Sequence, residues 1–316
     1  MPATPAQPKI GTILVPTDFS AEAQNAIDYA QALLRESEGT LHLVYVHEID
    51  YVYVMPTVMT VPPVQMTEDM TRAHEEQLKQ IAARCSATQT HTKSGRAFDG
   101  ICKTAAEIGA DLIIISTHGN TGLKHLFLGS TTERVVQHAP CPVLVVREQE
   151  REFVANAPDE QPVHIGRILV PVDFSECSWH GLNYALEFAK ARGASVVLLH
   201  VVQLVPFMPG DRFGAYEAMP GREVLEGAAR EQMQKVEQET DFGGVPHETK
   251  VVIGRPADEI CRCAEQLRAD LVIIPTHGRT GLVHVLIGST AEHVVRYAHC
   301  PVLVVPHRES RSSQAG

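Results

Sequence analysis

Residues 111–146 read DLIIISTHGNTGLKHLFLGSTTERVVQHAPCPVLVV, and residues 270–305 read DLVIIPTHGRTGLVHVLIGSTAEHVVRYAHCPVLVV. A second matching pair lies upstream, with KIGTILVPTDFS at residues 9–20 and HIGRILVPVDFS at residues 164–175. Repetition over such spans indicates one structural unit present twice. The upstream pair is offset by 155 residues and the downstream pair by 159, so the second copy carries four extra residues. We expect them in the irregular stretch after its second strand.

The duplication sets the domain organisation. The chain has 316 residues, which is long enough for two domains of ordinary size. We predict a first domain over residues 1–147 and a second over residues 164–316. The segment between them, residues 148–163, is polar and carries two prolines, as is typical of a linker.

The charge balance excludes some classes of partner. The sequence has 27 basic and 38 acidic residues, a formal net charge of −11. This argues against nucleic acid and against anionic membrane surfaces, because both select basic proteins. No apolar run approaches the roughly 20 residues that cross a bilayer, and the first residues lack the apolar core of a secretory signal. Seven scattered cysteines fit free thiols in a reducing compartment, so we expect a cytoplasmic protein.

Each copy shows apolar strands alternating with amphipathic helices. In the first copy, Ile10–Val15 is typical of a buried strand, and Ser20 is placed to cap the helix that follows. The order β-α-β-α-β-α-β-α-β predicts an open parallel sheet with helices on both faces. The other predicted strands are 40–46, 89–94, 112–115 and 142–146, and in the second copy 168–170, 196–201, 249–253, 271–274 and 302–305.

Two loops stand where such a sheet binds ligands, beyond the carboxyl ends of its strands at the point where the winding reverses. One is residues 16–20, after the first strand, and the other is residues 117–131, after the fourth. If these two strands are neighbours, both loops line one crevice. Asp18, in the first loop, is suited either to hydrogen-bond a ribose hydroxyl or to hold a magnesium ion.

The second loop has the features of a phosphate site. Gly119 and Gly129 let the backbone approach oxygen atoms closely. The first amides of the helix that begins near Ser130 point outward, toward an anion. Ser130 and Thr131 add hydroxyl donors. The sequence therefore predicts a nucleotide in this crevice.

Structural explanations exist for each residue taken singly. The glycines suit tight turns, Ser130 suits a helix cap, and Asp18 suits a cap of the first helix. Their joint occurrence in both copies favours a ligand. His118 and His277 suit either acid–base catalysis or a structural role in the loop, and the structural role is favoured because no acid partner or nucleophile is placed beside them. The other histidines show no spacing typical of metal ligands.

These motifs are similar to those of the universal stress protein family. Its members start with a strand ending in PTDFS or PVDFS, as at residues 16–20 and 171–175, and end in a segment like CPVLVV. Nucleotide-binding members carry Gly, two residues, Gly, nine residues, then Gly-Ser or Gly-Thr, which matches Gly119 with Gly129 and Gly278 with Gly288. The resemblance implies two tandem α/β domains of the adenine nucleotide alpha hydrolase-like fold, each with a five-stranded parallel sheet in the order 3-2-1-4-5.

The resemblance also implies the ligand and its contacts. The expected cofactor is ATP, with or without magnesium, and the expected role is nucleotide-dependent signalling or protein interaction in the stress response. The contacts carried over from the family are Pro16, Thr17, Asp18, Val46, Ser116, Gly119, Gly129, Ser130 and Thr131 in the first copy, and Pro171, Val172, Asp173, Val201, Gly278, Gly288, Ser289 and Thr290 in the second.

One departure distinguishes the copies. The first glycine of the pattern is Ser116 in the first copy and Pro275 in the second. Proline has no amide proton and a fixed φ. If that amide serves the phosphates, the first copy is the better nucleotide site.

Several alternatives stay open at this point. The protein is either a nucleotide sensor, which is the leading interpretation, a slow ATPase, or a nucleotide-free interaction module with an unidentified protein partner. Residues 49–66 and 203–220 are long apolar segments. Three roles are open for them: packing on the neighbouring unit, covering the ligand, or contacting a partner. By analogy with family dimers, residues 143–146 and 302–305 are expected to pair within one chain as a pseudo-dimer, and a homodimer of chains is also open.

Overall fold

The computed structural model describes residues 10–35, 39–48, 68–117, 128–147, 165–203, 222–278 and 287–306. These residues form two compact units, the first over residues 10–147 and the second over residues 165–306. Gly119, His118 and the segments 49–66, 148–163 and 204–220 lie outside the described residues, so the predictions made for them stay predictions.

Each unit has the predicted alternation of strands and helices. The first unit consists of β1 (Thr12–Pro16), α1 (Ala21–Leu34), β2 (Thr40–Glu48), α2 (Glu68–Arg84), β3 (Gln89–Gly95), α3 (Ala97–Ile108), β4 (Leu112–Ser116), α4 (Ser130–His138) and β5 (Val143–Val146). The second unit consists of β6 (Arg167–Pro171), α5 (Glu176–Arg192), β7 (Ser195–Val202), α6 (Arg222–Glu239), β8 (His247–Ile253), α7 (Pro256–Gln266), β9 (Leu271–Pro275), α8 (Ser289–Tyr297) and β10 (Val302–Val305).

The strand order confirms the predicted topology in both units. All strand pairs within a unit are parallel, in the order β3-β2-β1-β4-β5 in the first unit and β8-β7-β6-β9-β10 in the second. With right-handed crossovers, the first two helices of each unit cover one face of the sheet and the last two cover the other. The central strands are accordingly apolar throughout, as in β4, where residues 112–115 are all buried.

The sheet opens at the point where the winding reverses. β1 pairs with β4 over only two residue pairs, Ile13 with Leu112 and Leu14 with Ile113. β6 and β9 likewise pair over only two. Beyond these pairs the strands diverge toward their carboxyl ends, which creates the crevice that this topology uses for ligands.

The structure corrects the expected location of the four extra residues. Ile81 O accepts from Cys85 N at the end of α2, and Val236 O accepts from Thr240 N at the end of α6, so the 155-residue offset still holds there. The offset becomes 159 only at the third strand. The extra residues therefore lie in the turn between α6 and β8, where two glycines adopt φ of 56° and 85°, and not in the stretch after the second strand.

None of the helices in the described ranges combines the length and the apolar character that a membrane crossing requires.

Candidate functional site

A cavity of about 560 Å³ lies in the second unit, at the carboxyl ends of β6, β7 and β9. It is bounded by these strands and by residues of α6, α7 and α8. All eight residues predicted for the second copy line it. They are Pro171, Val172, Asp173, Val201, Gly278, Gly288, Ser289 and Thr290. The two loops that the sequence analysis placed at one crevice thus meet here.

One end of this cavity is formed by the start of α8. Glu292 N donates the first hydrogen bond of the helix to Gly288 O, so the amides of residues 289–291 have no acceptor within the helix. The N-cap residue is Gly288, and no side chain caps the helix. In contrast, α5 is capped by Ser175, whose hydroxyl accepts from Ser178 N. An uncapped helix start that lines a cavity favours an anion, because its amides and the helix dipole both attract negative charge.

The glycines before α4 and α8 serve a close backbone approach and not a turn. Gly129 has φ −58° and Gly288 has φ −60°, which any residue can adopt. Each donates its amide to the carbonyl at the end of the preceding strand segment, to Thr117 O at 2.8 Å and to Thr276 O at 2.7 Å. A Cβ at Gly129 would lie 3.0 Å from Thr117 O. Because Gly129 is the N-cap, Ser130 is the first helical residue, and the suggestion that it only caps the helix is wrong.

The two aspartates hold the capping serines in place. Asp173 Oδ1 accepts from both the amide and the hydroxyl of Ser175, and Asp18 makes the same two bonds with Ser20. Ser20 caps α1 as predicted, so the alternative in which Asp18 is the cap is wrong. A Cβ at Gly278 would lie 2.5 Å from Asp173 Oδ2, which places this carboxylate directly against the backbone that follows β9.

Each aspartate is followed by a phenylalanine in a strained conformation. Phe19 has φ 68° and Phe174 has φ 64°, in the left-handed region that bulky residues rarely adopt. Phe19 stacks on Tyr45 with ring centroids 4.6 Å apart, and Phe174 lies with its ring centroid 4.2 Å from that of His200 in a tilted arrangement. Strain of this kind costs on the order of 1–3 kcal/mol and concentrates at functional sites.

The other end of the cavity is largely apolar. It is lined by Leu225, Ala228 and Ala229 from α6, by Val202 at the end of β7 and by Ile260 from α7, and the lining also includes Gln203 and Gln232. A largely apolar compartment together with an uncapped helix start is the arrangement expected for a ligand with a flat apolar ring at one end and phosphate at the other.

The Ser116/Pro275 departure is accompanied by a second exchange. A Cβ at Gly181, in α5, would lie 3.2 Å from the Cδ atom of Pro275. Counting by the 155-residue offset, the first unit has the fully buried Ala26 at the position of Gly181. The larger residue at 275 is thus matched by a smaller one in the facing helix.

The first unit brings its described site residues together in the same way. Thr17 N donates to Val44 O at 2.9 Å, and Thr132 Oγ1 donates to Ser116 O at 2.7 Å, so the start of α4 is tied to the end of β4. Val46 packs against Gly100 of α3, where an added Cβ would lie 2.9 Å from its Cγ2 atom. Pro16, Asp18, Gly129, Ser130 and Thr131 occupy the positions that line the cavity in the second unit.

Two histidines that the sequence analysis did not include in the site cluster with Tyr45 in the first unit. His47, in β2, and His74, in α2, lie with ring centroids 5.3 Å apart, and both contact Tyr45 at 4.7 and 4.9 Å. Sequence reasoning set them aside because they lack metal-ligand spacing. The available signal was a comparison of the two copies, because neither equivalent position in the second copy is histidine.

Comparison with known proteins places the chain in a family. The model of the universal stress protein family matches residues 9–147 and 164–306. The chain belongs to the universal stress protein family. A universal stress protein of Methanocaldococcus jannaschii is 38% identical over 139 residues, covering 44% of this chain and 81% of the relative. One of Mycolicibacterium smegmatis is 27% identical over 310 residues, covering 94% of this chain and 97% of the relative.

A solved structure extends the match to the tandem architecture. The crystal structure of a universal stress protein from Archaeoglobus fulgidus has a TM-score of 0.65 and 20% identity, covering 96% of this chain and 98% of that one. At this identity the match supports the fold. Within this universal stress protein, no group of three or more His, Cys, Asp or Glu among the described residues is placed to hold a metal ion. His277 lines the second cavity, with Nδ1 3.0 Å from Thr276 Oγ1.

Proposed function

We propose that this universal stress protein binds an adenine nucleotide, ATP in the first instance, in the crevice of each unit and acts in the cytoplasmic stress response through nucleotide-dependent protein interaction. The observation that carries the proposal is the cavity of the second unit, which joins an uncapped helix start to an apolar compartment. Its volume of about 560 Å³ falls within the range of small-molecule sites.

The proposed pose follows from the two ends of the cavity. The phosphates lie at the start of α8, where the free amides and the Ser289 and Thr290 hydroxyls donate to them. The base lies in the apolar end, among residues of α6 and α7. Asp173 stands between the strand ends, and its carboxylate accepts from a ribose hydroxyl. No catalytic group is required for this role, and slow hydrolysis is a separate question for a turnover assay on the same protein.

The phosphate end supplies a test that spares the fold. The substitution Ser289→Asp puts a negative charge at the first position of α8, where it favours the helix. A bound phosphate about 4 Å away would be repelled by about 4 kcal/mol at an effective dielectric constant of about 20. We expect Ser289→Asp to abolish binding at the second unit with an unchanged or raised unfolding temperature, while Ser289→Ala keeps most of the affinity.

Calorimetric titration of the full chain with ATP measures the outcome. Ser130→Asp is the matched variant of the first unit, so each single variant reports the other unit and the double variant reports background. An unaltered stoichiometry in Ser289→Asp, or binding that persists in the double variant, would contradict the proposal. The same titrations compare the two units, for which we predict that the first, with Ser116 in place of Pro275, is the tighter site.

A further inference from the structure

The first unit contains buried polar atoms without partners. His47 is only 3% exposed, and neither of its ring nitrogens has a hydrogen-bond partner among the described residues. The same holds for Nδ1 of the neighbouring His74. A buried polar group without a partner is destabilising, and native proteins rarely leave such a group unsatisfied. Three such atoms in one cluster point to a missing partner.

The repeat locates this pair in the second unit. Pro16 pairs with Val44 and Pro171 pairs with Leu199, so the 155-residue offset holds across the second strand and makes Val202 the equivalent of His47. The same offset holds at the end of the following helix, where Cys85 and Thr240 make equivalent hydrogen bonds. His74 therefore corresponds to Ala229.

Both equivalent residues line the apolar end of the second cavity. The first unit thus presents two imidazoles where the second presents a valine and an alanine. Tyr45, the equivalent of the cavity-lining His200, stands beside them and stacks on Phe19. The two exchanges face each other across β2 and α2, so they alter one wall of the crevice together.

We propose that His47 and His74 determine which base the first unit accepts, by hydrogen-bonding the polar edge of a purine, whereas the second unit has no imidazole at these two positions. This inference rests on the proposed nucleotide binding. It makes the two units different receptors, with the first selective for adenine and the second tolerant of other bases.

The chemistry of the pair suits this role. A neutral imidazole has one donor and one acceptor nitrogen, and the edge of a purine offers both kinds of partner. Burial lowers the pKa of His47, and the nearby His74 lowers it further, while Glu75 on α2 acts in the opposite direction. These effects favour the neutral form at pH 7. A site that hydrogen-bonds its ligand rejects a mismatched analogue strongly, whereas an apolar pocket discriminates weakly, since mismatched polar groups leave the protein's own groups unpaired.

The second unit provides the residues for the test. In the Ser289→Asp background, which closes the second site, ATP and GTP affinities are measured by calorimetry before and after His47→Val and His74→Ala. We expect a preference for ATP of about 100-fold that falls to below about tenfold in the double variant, because the two substitutions remove both side chains that hydrogen-bond the base. Tripolyphosphate, which has no base, should bind all variants equally.

The outcomes separate the two proposals. A first unit that binds both nucleotides without preference, or one whose preference survives both substitutions, overturns the inference and leaves nucleotide binding intact. Failure of both units of the unmodified protein to bind any nucleotide overturns the proposed function and the inference with it. The single variant His74→Ala, at a partly exposed helix position, supplies the comparison if the double variant does not fold.

Discussion

Replacing Gly181 by alanine tests whether Pro275 is accommodated by the facing helix. The new Cβ would lie 3.2 Å from Pro275 Cδ and 3.6 Å from its Cβ and Cγ atoms, so the neighbours must shift by a few tenths of an ångström. Overpacking of this kind costs typically 1–3 kcal/mol. Alanine regains about 1 kcal/mol of helix propensity over glycine. We therefore expect Gly181→Ala to destabilise the second unit by roughly 0–2 kcal/mol.

The decisive quantity is the coupling with Pro275→Ser. Together the two substitutions recreate the combination of Ala26 and Ser116 found in the first unit. Serine removes the ring atoms that the new methyl group meets, so the double variant should be more stable than the sum of the single effects by about 1–2 kcal/mol.

The assay is urea unfolding followed by fluorescence. The chain has one tryptophan, Trp179, which lies in α5 two residues before Gly181, so the signal reports the second unit. Single and double variants are compared at the same pH, with the first-unit variant Ala26→Gly as a control that should leave the tryptophan transition unchanged. Additivity of the two changes to within about 0.5 kcal/mol would refute the packing argument.

Two further predictions concern the site and the first unit. Gly278→Ala should weaken nucleotide binding at the second unit by roughly tenfold or more, as measured by calorimetry in the Ser130→Asp background. The new Cβ would lie only 2.5 Å from Asp173 Oδ2, so the carboxylate must move. Burial lowers the pKa of His42 and of His91, which lie 3.0 Å apart through Nδ1 and Nε2, so the folded state binds fewer protons than the unfolded chain. Stability is then complete above the unfolded pKa of about 6.5 and falls as the pH drops below it; calorimetric unfolding between about pH 7.5 and 5.5 should show a smaller loss in His42→Leu than in the unmodified protein.

The sequence was sufficient for the topology because the information was in long repeated patterns. Alternating apolar and polar segments predicted every described strand to within two residues at each end. The crossover rule left a few topologies open, and the strand order came from the family resemblance. Clustering of the predicted residues of the second copy followed as well, since the carboxyl ends of neighbouring strands must meet.

The errors share a different cause. The roles suggested for Asp18 and Ser130 as helix caps depended on which of several adjacent polar groups accepts hydrogen bonds from the first amides of the helix. That competition is settled by distances of a few tenths of an ångström, which a motif does not encode. The extra residues of the second copy were misplaced because a long proline-rich segment looks more tolerant of insertion than a short turn. The extra residues lie instead in the turn between α6 and β8, where Gly243 and Gly244 adopt the positive φ angles of this longer turn.

His47 and His74 were beyond motif reasoning for a geometric reason. They are 27 positions apart and meet only because α2 packs back on β2, so no spacing rule connects them. A difference between two copies of one fold is more informative here than either copy alone. Equivalent positions share a backbone environment, and a paired change therefore reflects what the side chains do.

The two copies differ in a pattern that bears on how this protein works. The Gly-Ser-Thr sequence that forms the anion end at the start of the last helix is the same in both units, and so is the aspartate after the first strand. Two matched pairs of positions differ, Ala26 with Ser116 against Gly181 with Pro275, and His47 with His74 against Val202 with Ala229. In the second unit, Pro275, Val202 and Ala229 line the cavity, and Gly181 packs against Pro275. If one unit had lost its function, we would expect substitutions at its anion end first, because a glycine and an uncapped helix start both cost stability. Under the proposed function, the shared anion end and the paired changes near it are what two sites of different selectivity would require, and the state of the chain would then depend on which ligands occupy each unit.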